Sequence, residues 1–226
     1  MNIKLKKLFI DAITKFVLGV FLTGVLIFLP AGTWKYRNGW LFMAILFIPM
    51  FVAGIVMYVK KPELLARRLK MNEKQNEQKM IIKLSGIMFV MGFVVAGLDY
   101  RFGWSALAEW VSVVASFIFI VAYLLYAEVL RENLYLFRTV EVDEGQSVID
   151  TGFYGIVRHP MYLITLFLFL AMPIILGSLY SFVIFLTYPF IVVWRIKNEE
   201  ILLESELEGY REYKENVKYR LIPFLW

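Results

Sequence analysis

Long apolar runs, each about as long as a bilayer is thick, constrain this chain more than any other feature. About Leu8 to Leu29, about Gly39 to Val59, about Met80 to Leu98 and about Ser105 to Leu130 are largely apolar, with short charged connections between them. At a rise of about 1.5 Å per residue, some twenty helical residues cover the roughly 30 Å of hydrocarbon in a membrane. Each run predicts a crossing helix, because a helix satisfies its backbone hydrogen bonds within the segment where no water can. A further stretch, Met161 to Trp194, has 34 residues and is interrupted by Pro173 and by Gly177-Ser178. It is too long for one crossing and predicts a tight hairpin of two helices, Met161 to Met172 and Leu179 to Trp194, returning the chain to the side it left. The expected fold class is all-α, a polytopic membrane helical bundle of about six membrane segments.

Charge sets an expected orientation. The connection from Lys60 to Lys83 holds Lys60, Lys61, Arg67, Arg68, Lys70, Lys74, Lys79 and Lys83 against Glu63, Glu73 and Glu77. By the positive-inside rule this loop is cytoplasmic. The N-terminus with Lys4, Lys6 and Lys7, and the connection Arg131 to Arg158, then fall on the same side. The first run is too long for a signal-peptide core, although Asp11 and Lys15 interrupt its first turns, so a retained first helix is expected. The net charge of +5 does not point to nucleic acid, because the basic residues sit in the connections, where membrane orientation accounts for them. With no cysteine and a single histidine, His159, the chain has no disulfides, thiolate nucleophiles or Cys-based zinc sites, and no metal is expected.

The polar chemistry concentrates in two places. Asp150 to Tyr162 reads D-T-G-F-Y-G-I-V-R-H-P-M-Y and sets Arg158, His159 and Tyr162 against an apolar run. After the hairpin comes R-I-K-N-E-E, in which Arg195 and Glu199 are four apart and share a helix face. Taken singly, these are an interfacial ion pair, snorkelling belt residues and a proline opening a helix. Together at one membrane face they mark a site, because ionisable groups near membrane depth are costly. Between segments four and five, Ser147 to Ile149 reads as a short strand or hook, with turn signals at Glu144-Gly145 and Thr151-Gly152. The tail, Lys197 to Lys218, reads as an amphipathic helix on the membrane surface or closing over the site, with Ile201, Leu202, Leu207, Tyr210 and Tyr213 as an irregular apolar face. The last residues, Arg220 to Trp226, are expected to anchor at the interface.

The motifs G-F-Y-G-I-V-R-H-P-M-Y, R-I-K-N-E-E-I-L-L, G-Y-R-E-Y and R-L-I-P together resemble the isoprenylcysteine carboxyl methyltransferase family and its relatives among membrane phospholipid methyltransferases. The resemblance covers roughly Asn133 to Trp226. It implies N-terminal membrane helices in 1–130 and a catalytic core in 131–226, integrated in one domain, with S-adenosylmethionine held in a cytoplasmic pocket without a Rossmann fold. Carried over by position, Tyr154, Arg158, His159, Tyr162 and Glu200 line the cofactor pocket, while Arg195 and Glu199 face the reacting groups. The chain departs from the eukaryotic pattern in the tail, where Glu208-Gly209 is followed directly by Tyr210. The implied function is methyl transfer to a lipophilic acceptor in the bilayer, carboxyl O-methylation first. Alternatives are N-methylation of a phospholipid amine, an NADPH-dependent sterol-type reductase with a similar C-terminal end, and a transporter or scaffold without catalysis.

Overall fold

A computed structural model describes residues 3–70, 73, 75–133, 135, 142 and 145–226. The turn signal at Glu144 falls outside them. In chain order the helices are α1 (Ile3–Ala31), α2 (Arg37–Lys60), α3 (Pro62–Leu69), α4 (Asn76–Phe102), α5 (Glu109–Glu132), α6 (Pro160–Ile175), α7 (Leu179–Phe185), α8 (Tyr188–Glu206) and α9 (Tyr210–Asn216), with a single 3-10 turn at Gly152–Gly155 before α6. Among the described residues, five stretches are long and apolar enough to cross a membrane, namely Lys4–Ala31, Arg37–Lys60, Asn76–Phe102, Glu109–Glu132 and Leu179–Glu206, and Pro160–Ile175 is a shorter apolar helix. The all-α bundle and its hairpin follow the sequence expectation.

Close helix approach rests on small residues, because apolar side chains gain little by leaving lipid for protein. At Gly97 of α4 an added Cβ would lie 2.5 Å from the Ile27 carbonyl oxygen, so only glycine lets α1 sit against α4. One apolar core runs through the whole bundle, from Ile27 and Phe28 of α1 to Val192 and Ile196 of α8 and on to Leu221 of the tail. Both halves of the chain thus share one interior.

At the end of the bundle away from the basic loop, buried polar groups tie the turns together. Asp99 is 2% exposed. It accepts from the Ser105 N–H at 2.7 Å, the Ser105 hydroxyl at 2.6 Å and the Ser178 hydroxyl at 2.5 Å. The Tyr36 hydroxyl donates to the Leu176 carbonyl at 2.5 Å. The α6–α7 turn is therefore fastened to the α4–α5 and α1–α2 turns by satisfied hydrogen bonds, the condition for burying polar atoms at low cost.

Four local features differ from the sequence expectation. The basic connection contains α3, opened by Pro62 at its first turn and pinned by Leu64 and Leu65, which are buried. Its last carbonyl, on Leu69, accepts from Lys15 Nζ at 2.8 Å while Lys15 also pairs with Asp11 at 2.8 Å. The two charges that interrupt the first span thus hold the surface helix. The second arm of the hairpin is not one helix to Trp194. It breaks at Leu186 and Thr187 ahead of Pro189, and α8 then continues without interruption through Lys197 to Glu206. The run K-N-E-E-I-L-L-E-S-E contains no breaker, so the tail does not begin a separate helix at Lys197. The break falls at Gly209, whose φ of +80° is left-handed and suits glycine; α9 is the short helix beyond it. Ser147 to Ile149 forms no strand; the segment is coil.

Candidate active site

The R-H-P stretch is held from outside by the end of the chain. Pro160 opens α6 and His159 is its N-cap residue. The Arg158 N–H donates to the Tyr219 carbonyl at 2.9 Å and the His159 N–H to the Arg220 carbonyl at 2.9 Å, so the tail lies along this turn. Behind it sits Glu200, 3% exposed. Its Oε1 accepts from Arg158 Nε at 2.8 Å and lies 3.3 Å from His159 Nε2, while Oε2 accepts from Arg220 Nε at 2.7 Å. Arg158 Nη1 donates to the Val217 and Lys218 carbonyls at 2.6 and 2.9 Å. Arg158 is thus engaged with Glu200 and the tail backbone, and this knot binds α8, the start of α6 and the tail into one unit.

Glu199 is the neighbour of Glu200, and successive residues on a helix point about 100° apart. Glu199 faces the other way, into a cavity. Its Oε2 accepts from the Tyr162 hydroxyl at 2.5 Å, and that hydroxyl accepts from Arg195 Nε at 2.7 Å. The Arg195 guanidinium lies 5.8 Å from the centre of the Tyr162 ring. Tyr162 therefore bridges the two charges that α8 places one turn apart. It is itself held through the Thr165 hydroxyl, which donates to the Tyr162 carbonyl at 2.9 Å and accepts from Tyr188 at 2.9 Å.

The cavity encloses about 90 Å³ and is open on one side. Tyr154, Arg158, His159, Tyr162, Arg195 and Glu199 line it, while Glu200 is not among its lining residues. The carried-over set is thereby brought together at one cavity except for Glu200, which stands behind the wall and touches the cavity only through Arg158 and His159. The remaining wall comes from residues the sequence reading had not assigned to the site. Asn133 and Tyr135 follow α5, Gln146 to Ile149 cross the mouth, and Leu203, Leu207, Tyr210 and Tyr213 come from α8 and the tail. Tyr210 and Tyr213 carried a signal, since a spacing of three puts both on one helix face. No sequence signal assigned Asn133 or the coil before Asp150 to the site.

The tail tyrosines close the cavity as neutral groups. Burial pushes the Tyr154, Tyr210 and Tyr213 phenols up from their ordinary range, and Glu200 and Glu199 push Tyr210 further. Tyr213 donates to the Tyr154 carbonyl at 2.7 Å. The Tyr210 hydroxyl, on a residue 4% exposed, has no hydrogen-bond partner among the described residues. A buried hydroxyl without a partner is costly and is explained when it faces a ligand.

The family model for phospholipid methyltransferases matches residues 110–208. That stretch of the chain is similar to this family. It runs from the first turn of α5 to the end of α8, and so includes both the R-H-P turn and the Arg195–Glu200 face. A curated relative, the Delta(14)-sterol reductase of Mus musculus, is 31% identical over 91 residues, which is 39% of this chain and 22% of that protein. The chain spans about a fifth of that relative's length.

Proposed function

We propose that the chain is an S-adenosylmethionine-dependent methyltransferase acting on a lipophilic acceptor in the bilayer. The observation that carries the reading is the meeting of Tyr162, Arg195 and Glu199 with the Tyr210 hydroxyl, unpartnered among the described residues, in one cavity, built largely from the stretch that matches a methyltransferase family. The donor set fits the cofactor. Aromatic faces at Tyr154, Tyr162, Tyr210 and Tyr213 suit a sulfonium cation, the Glu199 carboxylate suits positive charge, and His159 and Tyr210 offer polar contacts. A ligand of nucleoside size extends beyond the enclosed 90 Å³ through the open side.

The bound cofactor supplies an already activated methyl group, so the protein's part is alignment and exclusion of water. We assign the acceptor as a carboxylate. Such a group arrives ionised and asks only for orientation, a task suited to the guanidinium of Arg195 in the cavity wall. The family's own description favours a phospholipid as a second acceptor; if its amine is the methylated group, Glu199 is suited to take the proton. The excess of Lys and Arg in 60–83 supports a cytoplasmic position for this end of the bundle.

The test is binding of S-adenosylmethionine, its demethylated product and NADPH to detergent-solubilised protein, followed by methyl transfer to a long-chain carboxylate lipid and to phosphatidylethanolamine. Selective binding of the first two ligands and transfer to the carboxylate is expected. Transfer to the amine alone reassigns the acceptor. Binding of NADPH alone overturns the reading in favour of the reductase suggested by the Mus musculus relative.

A further inference from the structure

One acidic side chain acts on the wall of the candidate site without lining it. Glu132 is the last residue of α5, and Asn133, which follows it as the C-cap, lines the polar cavity. A carboxylate at a helix C-terminus meets the negative end of the helix dipole, so its place there does not serve the helix. Arg131 does not hold it, since the Arg131 hydrogen bonds, at 2.8 and 2.6 Å, go to Glu128. The hydrogen-bond partner of Glu132 lies 21 residues on. Its Oε2 accepts from the Phe153 N–H at 3.2 Å, within the 3-10 turn Gly152–Gly155. The same carboxylate occupies the place of a side chain at Gly152, where an added Cβ would lie 1.7 Å from Oε1. Gly152 has a φ of +55°, so glycine is required twice, by the left-handed backbone and by the acid packed on it.

We infer that Glu132 is a positioning residue for Tyr154, setting the turn that carries this tyrosine into the cavity. This rests on the methyltransferase reading for what the cavity binds. Tyr154 follows the bonded Phe153 N–H by one residue. Its own N–H donates to the Thr151 carbonyl at 3.0 Å, and its carbonyl accepts from the Tyr213 hydroxyl at 2.7 Å. The turn is therefore held by α5 on one side and by α9 on the other. Between these two holds the Tyr154 side chain lies beside Asn133 and in the cavity wall. Its buried hydroxyl makes no hydrogen bond with a described residue, which leaves it for a ligand. What the turn needs from position 132 is an acceptor oxygen at the Phe153 N–H, and a negative charge is not part of that task.

The test compares the wild type with Glu132→Leu, Glu132→Gln and Glu128→Leu, each as the whole chain in lipid nanodiscs. Glutamine keeps an acceptor oxygen, leucine keeps only bulk, and Glu128→Leu removes an acid one turn earlier that pairs with Arg131. Two quantities are read: amide exchange of the 151–157 segment by mass spectrometry, which needs no ligand, and the Kd for S-adenosylmethionine. Glu132→Leu is expected to speed the exchange and to weaken binding, each by about 2–10-fold, the worth of one hydrogen bond. Glu132→Gln is expected to regain most of both, and Glu128→Leu to alter neither. Unchanged exchange in Glu132→Leu overturns the inference, and so does faster exchange with unaltered affinity. Equal losses of affinity in Glu132→Gln and Glu132→Leu overturn it in favour of a charge that meets the ligand itself. Equal effects of Glu132→Leu and Glu128→Leu overturn it in favour of a general loosening of α5. If the folded wild type binds no S-adenosylmethionine while the exchange responds as expected, the methyltransferase reading fails and the placement of Tyr154 by Glu132 stands.

Discussion

Glu200 offers the sharpest test of how this site is built. Its carboxylate is 3% exposed and compensates Arg158, also 3% exposed at the side chain, together with Arg220, which is 30% exposed. Glu200→Ala leaves the Arg158 guanidinium buried against two backbone carbonyls and no counter-charge. Removing one partner of a buried pair costs about 3–5 kcal/mol, whereas the more exposed Arg220 adds only about 0.2–1 kcal/mol. At about 2–4 °C per kcal/mol for a chain of this size, Glu200→Ala is expected to lower Tm by about 6–20 °C, and Arg220→Ala by no more than about 4 °C. Thermal unfolding of the solubilised protein, followed by tryptophan fluorescence, reads the shift. Limited proteolysis reads release of the tail at Lys218. Because replacing both members of a buried pair by apolar groups is far less costly than removing one, Arg158→Met with Glu200→Leu is expected to regain most of the stability. If Glu200→Ala melts within 2 °C of the wild type, or no lower than Arg220→Ala, Glu200 is not the fastener described. If the double variant is stable and binds S-adenosylmethionine, Glu200 acts by position; if it is stable and does not, Glu200 or Arg158 touches the ligand.

Tyr162→Phe removes the hydroxyl that links Arg195 to Glu199; turnover is expected to fall by about 10–100-fold with circular dichroism unchanged, since about 1.4–2.7 kcal/mol of positioning is lost, and unaltered turnover refutes the bridge. Tyr210→Phe deletes a buried hydroxyl without a partner among the described residues, so Tm is expected to hold or rise while S-adenosylmethionine affinity falls about 2–10-fold, the worth of one hydrogen bond; a falling Tm would place its partner in the protein. Asp99→Asn turns an acceptor of three hydrogen bonds into a group that also presents donors, and an expected loss of about 1.5–3 kcal/mol shows in Tm, with ligand affinity measured by calorimetry unchanged. Gly97→Val forces α1 from α4 and is expected to lower Tm with no specific effect on the site, whereas an unchanged Tm refutes the close packing.

The sequence by itself determined the class. Runs of about twenty apolar residues in Leu8 to Leu29 and the three that follow permit only self-satisfied helices in lipid, and Gly177-Ser178 marks the hairpin because the left-handed turn at Gly177 does not continue a helix, whereas α6 runs through Pro173 to Ile175. The spacing of Arg195 and Glu199 also showed that they share a face. Tertiary structure decided what those faces meet. No local pattern says that Glu199 looks into a cavity and Glu200 into a knot of Arg158, His159 and Arg220, because the two are adjacent carboxylates of equal propensity whose environments are set by elements 40 residues upstream and 20 downstream. The same holds for Lys15, an anomaly within its own span until Leu69 of α3 supplies the carbonyl it binds. Periodicity and breakers are local and legible in a sequence; compensation of buried charge is a long-range contact, and only the folded chain specifies it.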